Sequence, residues 1–133
     1  MDYKIEHFER YNDKRGPLVV FLKNSDLKKK DTKFGQIYFV IFSKRGVVRG
    51  NHYHKYWREW FGIVEGKLEV MIKNVQTGEQ KKLILDSKDN KYIRLSIGPY
   101  IAHAFKSISS KASLVNYAND EWSLSDCIPY KLI

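Results

Sequence analysis

The sequence predicts an all-β fold, a sandwich or barrel of roughly six to nine short strands. Three observations carry that expectation. Apolar residues recur with a period of two in several segments. Short runs rich in β-branched and aromatic residues are bounded by glycine or by charged loops. No stretch has an amphipathic helical pattern of useful length. Hydrophobic residues make up 43% and aromatics 14% of 133 residues, enough apolar surface for one core, so residues 1–133 read as one domain.

The elements follow in chain order. GPLVVFL (16–22) and GQIYFVIF (35–42) are the first two apolar runs. Between them NSDLKKKD is the only loop with helix-like composition, and Lys28, Lys29 and Lys30 mark it as solvated. RGNHYH leads into another strand, and WFGIVEG continues to a turn. KLEVMIKN (67–74) alternates, with Leu68, Val70 and Ile72 on one face. The turn QTGE (76–79) leads to KKLILD. In KYIRLSIGP (91–99), Ile93, Leu95 and Ile97 oppose Tyr92, Arg94 and Ser96, which directs Arg94 away from the apolar face and makes it a candidate pocket residue. GPYIAHAF opens the next strand after a Gly-Pro turn, and ASLVNYAN (112–119) closes the series.

Charge and composition narrow the function classes. A formal net charge of +9 suits a polyanion, yet the basic residues are dispersed and no helix-turn-helix, zinc-finger or RNA-binding signature accompanies them. Nucleic acid is therefore not an expected partner; an anion with several phosphates would use the surplus, and a solvated lysine-rich surface of the kind common in heat-stable proteins accounts for it equally well. Cys127 is the only cysteine, which excludes an internal disulfide and a thiolate cluster within one chain. No run approaches the roughly 20 apolar residues of a membrane helix. The charged start MDYKIEHFER lacks the apolar segment of a signal peptide, so a cytoplasmic protein is expected.

The chemistry concentrates in RGNHYHKYWREWFGIVEG, residues 49–66. On a strand, His52 and His54 share a face about 7 Å apart. Glu59 follows on the next segment, and His103 comes from GPYIAHAF. Two imidazoles and a carboxylate form a three-ligand set for a divalent ion, with His103 as a fourth ligand. The same groups suit acid–base work, because an imidazole titrates near working pH. His7 lies in a charged segment and reads as a surface residue.

The spacing Gly46-x5-His52-x-His54-x4-Glu59-x6-Gly66 resembles the first cupin motif, and Pro99-x3-His103 resembles the shortened second motif. That resemblance implies a double-stranded β-helix, the cupin jelly roll. RGNHYH is similar to the Arg-Gly-x-His segment of dTDP-4-dehydrorhamnose epimerases and of dTDP-4-keto-6-deoxyhexose ketoisomerases. DKRGPLVVF (13–21) resembles their Asp-x-Arg-Gly segment, and IGPYIAH resembles the ketoisomerase Gly-Pro turn. RGNHYH, Glu59 and YANDEW also resemble the cupin domain that ends bifunctional capsule-sugar reductases and binds a metal. The likeness spans residues 7–125.

The resemblance to this sugar-nucleotide branch implies an isomerase or epimerase of a nucleotide-linked 4-keto-6-deoxyhexose, supplying surface polysaccharide. It makes His52 the base, with His54 or His103 handling a second proton, and Arg15 and Arg49 holding the diphosphate or the sugar. Asn51, beside His52, Arg94 and Tyr117 complete the expected substrate contacts, and Tyr38, Tyr53 and Tyr117 are placed to line the barrel mouth. No cofactor is required if His52 is the base. Alternatively His52, His54, Glu59 and His103 hold a divalent metal (Zn, Fe, Mn or Ni); the two roles of His52 exclude each other. The family also implies a homodimer joined through exchanged or stacked strands. Two positions depart from the epimerases: Asp120-Glu121-Trp122 stands where they carry Asp-Tyr-Tyr, and Trp60 and Phe61 stand near their lysine. Two other readings of the motif are a metal-dependent cupin such as a dioxygenase, and a sugar-binding cupin without catalysis.

Overall fold

The computed structural model describes residues 1–133 and is built almost entirely of antiparallel strands. In chain order these are β1 (Tyr3–Phe8), β2 (Tyr11–Asp13), β3 (Gly16–Leu18), β4 (Gln36–Phe42), β5 (Val48–Tyr53) and β6 (Glu59–Glu65). Then come β7 (Lys67–Asn74), β8 (Gln80–Asp86), β9 (Tyr92–Ile97), β10 (Ile101–Ser107), β11 (Ala112–Ala118) and β12 (Ile128–Pro129). One five-stranded sheet runs β1-β9-β6-β11-β4 and the other β12-β5-β10-β7-β8, with β2 and β3 forming a separate hairpin. Neighbours that are distant in sequence, such as β6 beside β11 and β5 beside β10, are the signature of a jelly roll rather than a meander.

The inner faces of the two sheets share one core. Leu68, Val70 and Ile72 of β7 are fully buried and meet Phe61 and Ile63 of β6, Leu95 and Ile97 of β9, and Leu114 of β11. Period-two alternation is visible where only one face is covered, as in β4, where Ile37, Phe39 and Ile41 are exposed and Phe42 is buried. In β9 both faces are covered, so Arg94 and Leu95 are both buried.

The strands expected over 35–42, 67–74, 91–99 and 112–119 form with small changes at their ends. Two places differ. β1 arises from the charged amino-terminal segment because it pairs with β9 from Tyr3↔Ile97 to Phe8↔Tyr92, turning its charged residues outward. His7 is exposed there. The run GPLVVFL is strand only over Gly16–Leu18, and Leu18 and Val20 remain 60% and 48% exposed. NSDLKKKD, read as a solvated loop, makes two single 3-10 turns, Asn24–Asp26 and Lys29–Asp31.

One irregularity sets up the site. β5 pairs with β10 through His52↔His103 and then Gly50↔Ala104, so Asn51 is an extra residue on β5. A bulge of this kind needs unusual backbone angles. Gly50 has φ +97° and Asn51 φ +57°, the latter tolerated better by asparagine than by most residues. A Cβ on Gly50 would lie 2.6 Å from the His103 carbonyl oxygen, so the close approach of β5 to β10 also requires glycine.

Candidate active site

The bulge decides which side chains of β5 reach the interior. Strict alternation puts Arg49 and His52 on opposite faces, but the extra residue between them lets both line one cavity. That cavity has a volume of about 360 Å³ and is walled by Tyr38, Phe42, Arg49, His52, Phe61 and His103 among others. His54 and Glu59 sit behind this wall, only 4% and 2% exposed.

The three imidazoles converge. Ring centroids are 4.7 Å apart for His52 and His103, 4.9 Å for His52 and His54, and 6.0 Å for His54 and His103. Their ligand nitrogens all fall within 4.8 Å of one another. Each ring uses Nδ1 against a backbone carbonyl: His52 against Gly50 and His103 against Ile101, both at 3.2 Å, and His54 against Asp126. A carbonyl only accepts, so each Nδ1 donates and each Nε2 is left with its lone pair. Glu59 Oε2 lies 3.6 Å from His54 Nε2 and 3.4 Å from His103 Nε2, and has no hydrogen-bond partner. Its other oxygen accepts from Asn116 Nδ2 at 3.3 Å.

Burial controls the charges here. It pushes Glu59 up to about 8, the Asn116 hydrogen bond only partly opposing it, and pushes His54 down to about 4. Burial lowers His52 as well and holds His103 well below the usual imidazole range, the latter reinforced by its histidine neighbours. Burial thus favours the neutral form of all four groups, the three imidazoles and the carboxyl alike. Neutral imidazoles with free Nε2 atoms can accept protons or bind a metal. The orphaned Glu59 oxygen lies beside two of them, His54 and His103, and outside the three ligand atoms that converge within 4.8 Å.

The structure brings together His52, His54, His103, Glu59 and Arg49, and separates the other candidates. Arg94 is buried outside the cavity, donating to Phe21 O (2.9 Å), Asp26 (2.9 Å) and Glu6 (3.0 Å), because the segment after β3 covers the outer face of β9. Tyr117 is likewise turned outward: its hydroxyl donates to Asp31 O and Lys33 O, and its ring stacks on Trp60. The Asn51 side chain, projecting from the bulge, accepts from the backbone of Leu132 and Ile133 instead of facing the cavity. Arg15 is on the exposed β2–β3 hairpin, paired with Asp13, and lines no part of the cavity.

Tyr38 is the residue that sequence reasoning undervalued. Read only as a possible mouth tyrosine, it lines the cavity, and burial and Glu59 raise its phenol above the usual range. The available signal was its parity with Val40 and Phe42 on β4. Phe61 occupies the wall near the expected lysine position, so Arg49 is the cation that reaches this space.

Comparison with known proteins agrees with this fold. A 3,4-ketoisomerase from Helicobacter canadensis superposes with a TM-score of 0.79 at 27% identity, covering 96% of this chain and 90% of that one. A dTDP sugar isomerase from Desulfovibrio desulfuricans G20 gives 0.84 at 18% identity, covering 97% and 83%. A mutant 3,4-ketoisomerase QdtA from Thermoanaerobacterium thermosaccharolyticum, in complex with TDP-4-keto-6-deoxyglucose, gives 0.79 at 20% identity, covering 96% and 86%. A search of curated protein sequences found no match. The family described as FdtA, WxcM-like, C-terminal matches residues 1–131, so this cupin-fold chain belongs to that family.

Proposed function

We propose that the protein isomerises or epimerises a nucleotide-linked 4-keto-6-deoxyhexose, in the cytoplasmic supply of sugars for a surface polysaccharide. The observation that carries this reading is His52, whose Nε2 lone pair is held toward the cavity by the Nδ1 bond to Gly50. The C–H next to a ketone is acidified, and a neutral imidazole can take that proton while the electron pair moves to the ketone oxygen as an enolate. Arg49 supplies positive charge at the same cavity for the enolate or the diphosphate. Return of a proton to the opposite face gives an epimer. Its return to the former carbonyl carbon, through an enediol, gives a ketoisomer. Tyr38 borders the space, keeps its proton and is the group we assign to this second transfer, while His103, whose Nε2 holds a lone pair, relays only a proton it has first received.

The orphaned Glu59 oxygen favours a metal as a second reading. His52, His54, His103 and Glu59 would hold a divalent ion, which would polarise the ketone as a Lewis acid. His52 would then be a ligand and unavailable as the base, and Tyr38, whose phenol keeps its proton, would serve only as a donor.

A second copy of the chain completes the site in this reading. β4 ends its sheet, carries no charged residue, and exposes Ile37, Phe39 and Ile41 by 62%, 74% and 67%. Edge strands normally protect themselves with charge or cover. The β2–β3 hairpin is wholly exposed, with Tyr11 and Leu18 uncovered and Arg15 at its turn. Seating this hairpin on the β4 edge of a partner copy covers both apolar surfaces. Because Phe39 and Ile41 border the cavity, it also brings Arg15 to the neighbouring mouth.

Incubation with dTDP-4-keto-6-deoxyglucose and its UDP counterpart, as isolated and after chelation, tests the reading. Conversion to an isomer of unchanged mass is expected. Oxygen consumption, or binding without conversion, would favour an oxidative or non-catalytic cupin instead.

A further inference from the structure

His54 is held differently from its two neighbours. His52 and His103 each donate Nδ1–H to a carbonyl two residues back in their own strand. His54 donates to the carbonyl of Asp126, which is 72 residues further along the chain.

That distant carbonyl is placed by a segment pinned at several points. The Asp126 carboxylate accepts from the backbone N–H of Lys55 at 2.6 Å and of Tyr56 at 3.2 Å, immediately after His54. β12 pairs with β5 through Ile128↔Tyr53 and Pro129↔His52. The Asn51 carbonyl accepts from Tyr130 N–H at 2.7 Å. Its side-chain oxygen accepts from Leu132 at 2.7 Å and Ile133 at 3.2 Å, while its Nδ2 donates to Ile133 O at 3.1 Å. The bulged residue beside His52 is thus an anchor for residues 128–133.

We propose that residues 124–133 form a positioning strap: Asp126 and Asn51 fix it so that the Asp126 carbonyl selects the Nδ1–H tautomer of His54. A neutral imidazole has two tautomers, and the bond made by one nitrogen determines what the other presents. With Nδ1 committed to donate, Nε2 turns a lone pair toward Glu59 and the histidine cluster. Without the strap, Nε2–H becomes available, and Glu59 Oε2, 3.6 Å away, offers it an acceptor. His54 would then present a proton where the site now presents a lone pair. Asp126 and Asn51 act only through His54 and are positioning residues.

Long-range proton–nitrogen NMR on uniformly 15N-labelled protein reads the tautomer directly. In the wild type, His54 shows a pyrrole-type Nδ1 and a pyridine-type Nε2. Asp126→Ala mixes the two nitrogen signals, and Asp126→Asn, which keeps an acceptor oxygen for the Lys55 N–H, restores much of the difference. Asn51→Ala provides an independent release of the strap should Asp126→Ala fail to fold. If the proposed isomerase reading holds, on which only this kinetic arm rests, kcat falls about 10- to 100-fold with KM unchanged. A wild-type His54 protonated on Nε2 overturns the strap. So does an unchanged tautomer in every folded variant, whatever happens to kcat. A shifted tautomer with unchanged kcat supports the strap and counts against a catalytic role for His54, so the two failures are distinguishable.

Discussion

The floor of the cavity and its rim are built on opposite principles. At the floor, His54, His103 and Glu59 are buried, and every ring nitrogen Nδ1 has a backbone partner within the same chain. At the rim, β4 and the β2–β3 hairpin leave apolar side chains and strand edges without any partner in that chain. The floor is complete in one copy, whereas the rim has the surface of something still to be covered. We therefore propose that chemistry belongs to the floor and that the rim serves assembly and recognition of the substrate's charge.

The largest effect expected of this division is at the floor. Replacing His52 by asparagine keeps a polar side chain but removes the base, and turnover should fall about 10²- to 10⁴-fold. A residual rate close to wild type would move the proton transfer to another group.

At the rim, if the proposed dimer seats on β4, Phe39→Asp with Ile41→Lys should release it. Each apolar side chain covered in an interface contributes about 1.5–3 kcal/mol, so the dissociation constant should rise by at least about 100-fold. Light scattering measures this, and the circular dichroism of the monomer should stay native. An unchanged dimer would place the contact elsewhere; a wild type already monomeric would remove it.

Arg15→Ala should leave the assembly intact and raise KM about tenfold, with a weaker dependence on salt, if the hairpin presents this guanidinium to a partner's cavity. Mixed dimers of Arg15→Ala and His52→Asn chains separate the two copies. Activity recovered in the mixture shows that one chain's hairpin serves the other's floor, and none recovered returns Arg15 to a surface role.

The smallest expected effect concerns stability. Glu59 is pushed up to about 8 in the folded chain, against 4.5 in its absence. Between those values the folded state keeps a proton that the unfolded state has released, so this contribution is complete below pH 4.5 and lost as the pH rises through 8. His54, pushed down to about 4 from 6.5, has the opposite sign: its contribution is present above pH 6.5 and lost as the pH falls through 4. In chelated protein Glu59→Gln should therefore raise Tm by a few degrees at pH 9, about 3–5 °C, with no gain at pH 5. A loss at both pH values would mean that the carboxyl is needed for packing regardless of charge.

Much of the fold was legible because its strongest signals are local. Leu68, Val70 and Ile72 alternate in a strand with one core face, and the resemblance to the cupin motifs implied the jelly roll. β1 was hidden because an edge strand with outward charges lacks the apolar density by which buried strands are recognised. The floor residues His52, His54, Glu59 and His103 were found in sequence, since they belong to two short motifs. Arg94 and Tyr117 were misjudged for one shared reason: alternation reports which side of a strand a residue occupies, not what covers that side. Here residues 21–33 cover the outer face and capture both side chains. Asn51 was misplaced because no periodicity announces a bulge, and the positive φ angles that make one are visible only in the backbone.

Deuterium incorporation followed by proton NMR in heavy water tests the role of His52 most directly, with dTDP-4-keto-6-deoxyglucose as substrate and the wild type beside His52→Asn. Exchange at the carbon next to the ketone in the wild type, lost in the variant, is the expected result. Exchange that persists undiminished in His52→Asn would contradict the assignment of His52 as the base, and its absence from both would contradict the enolate.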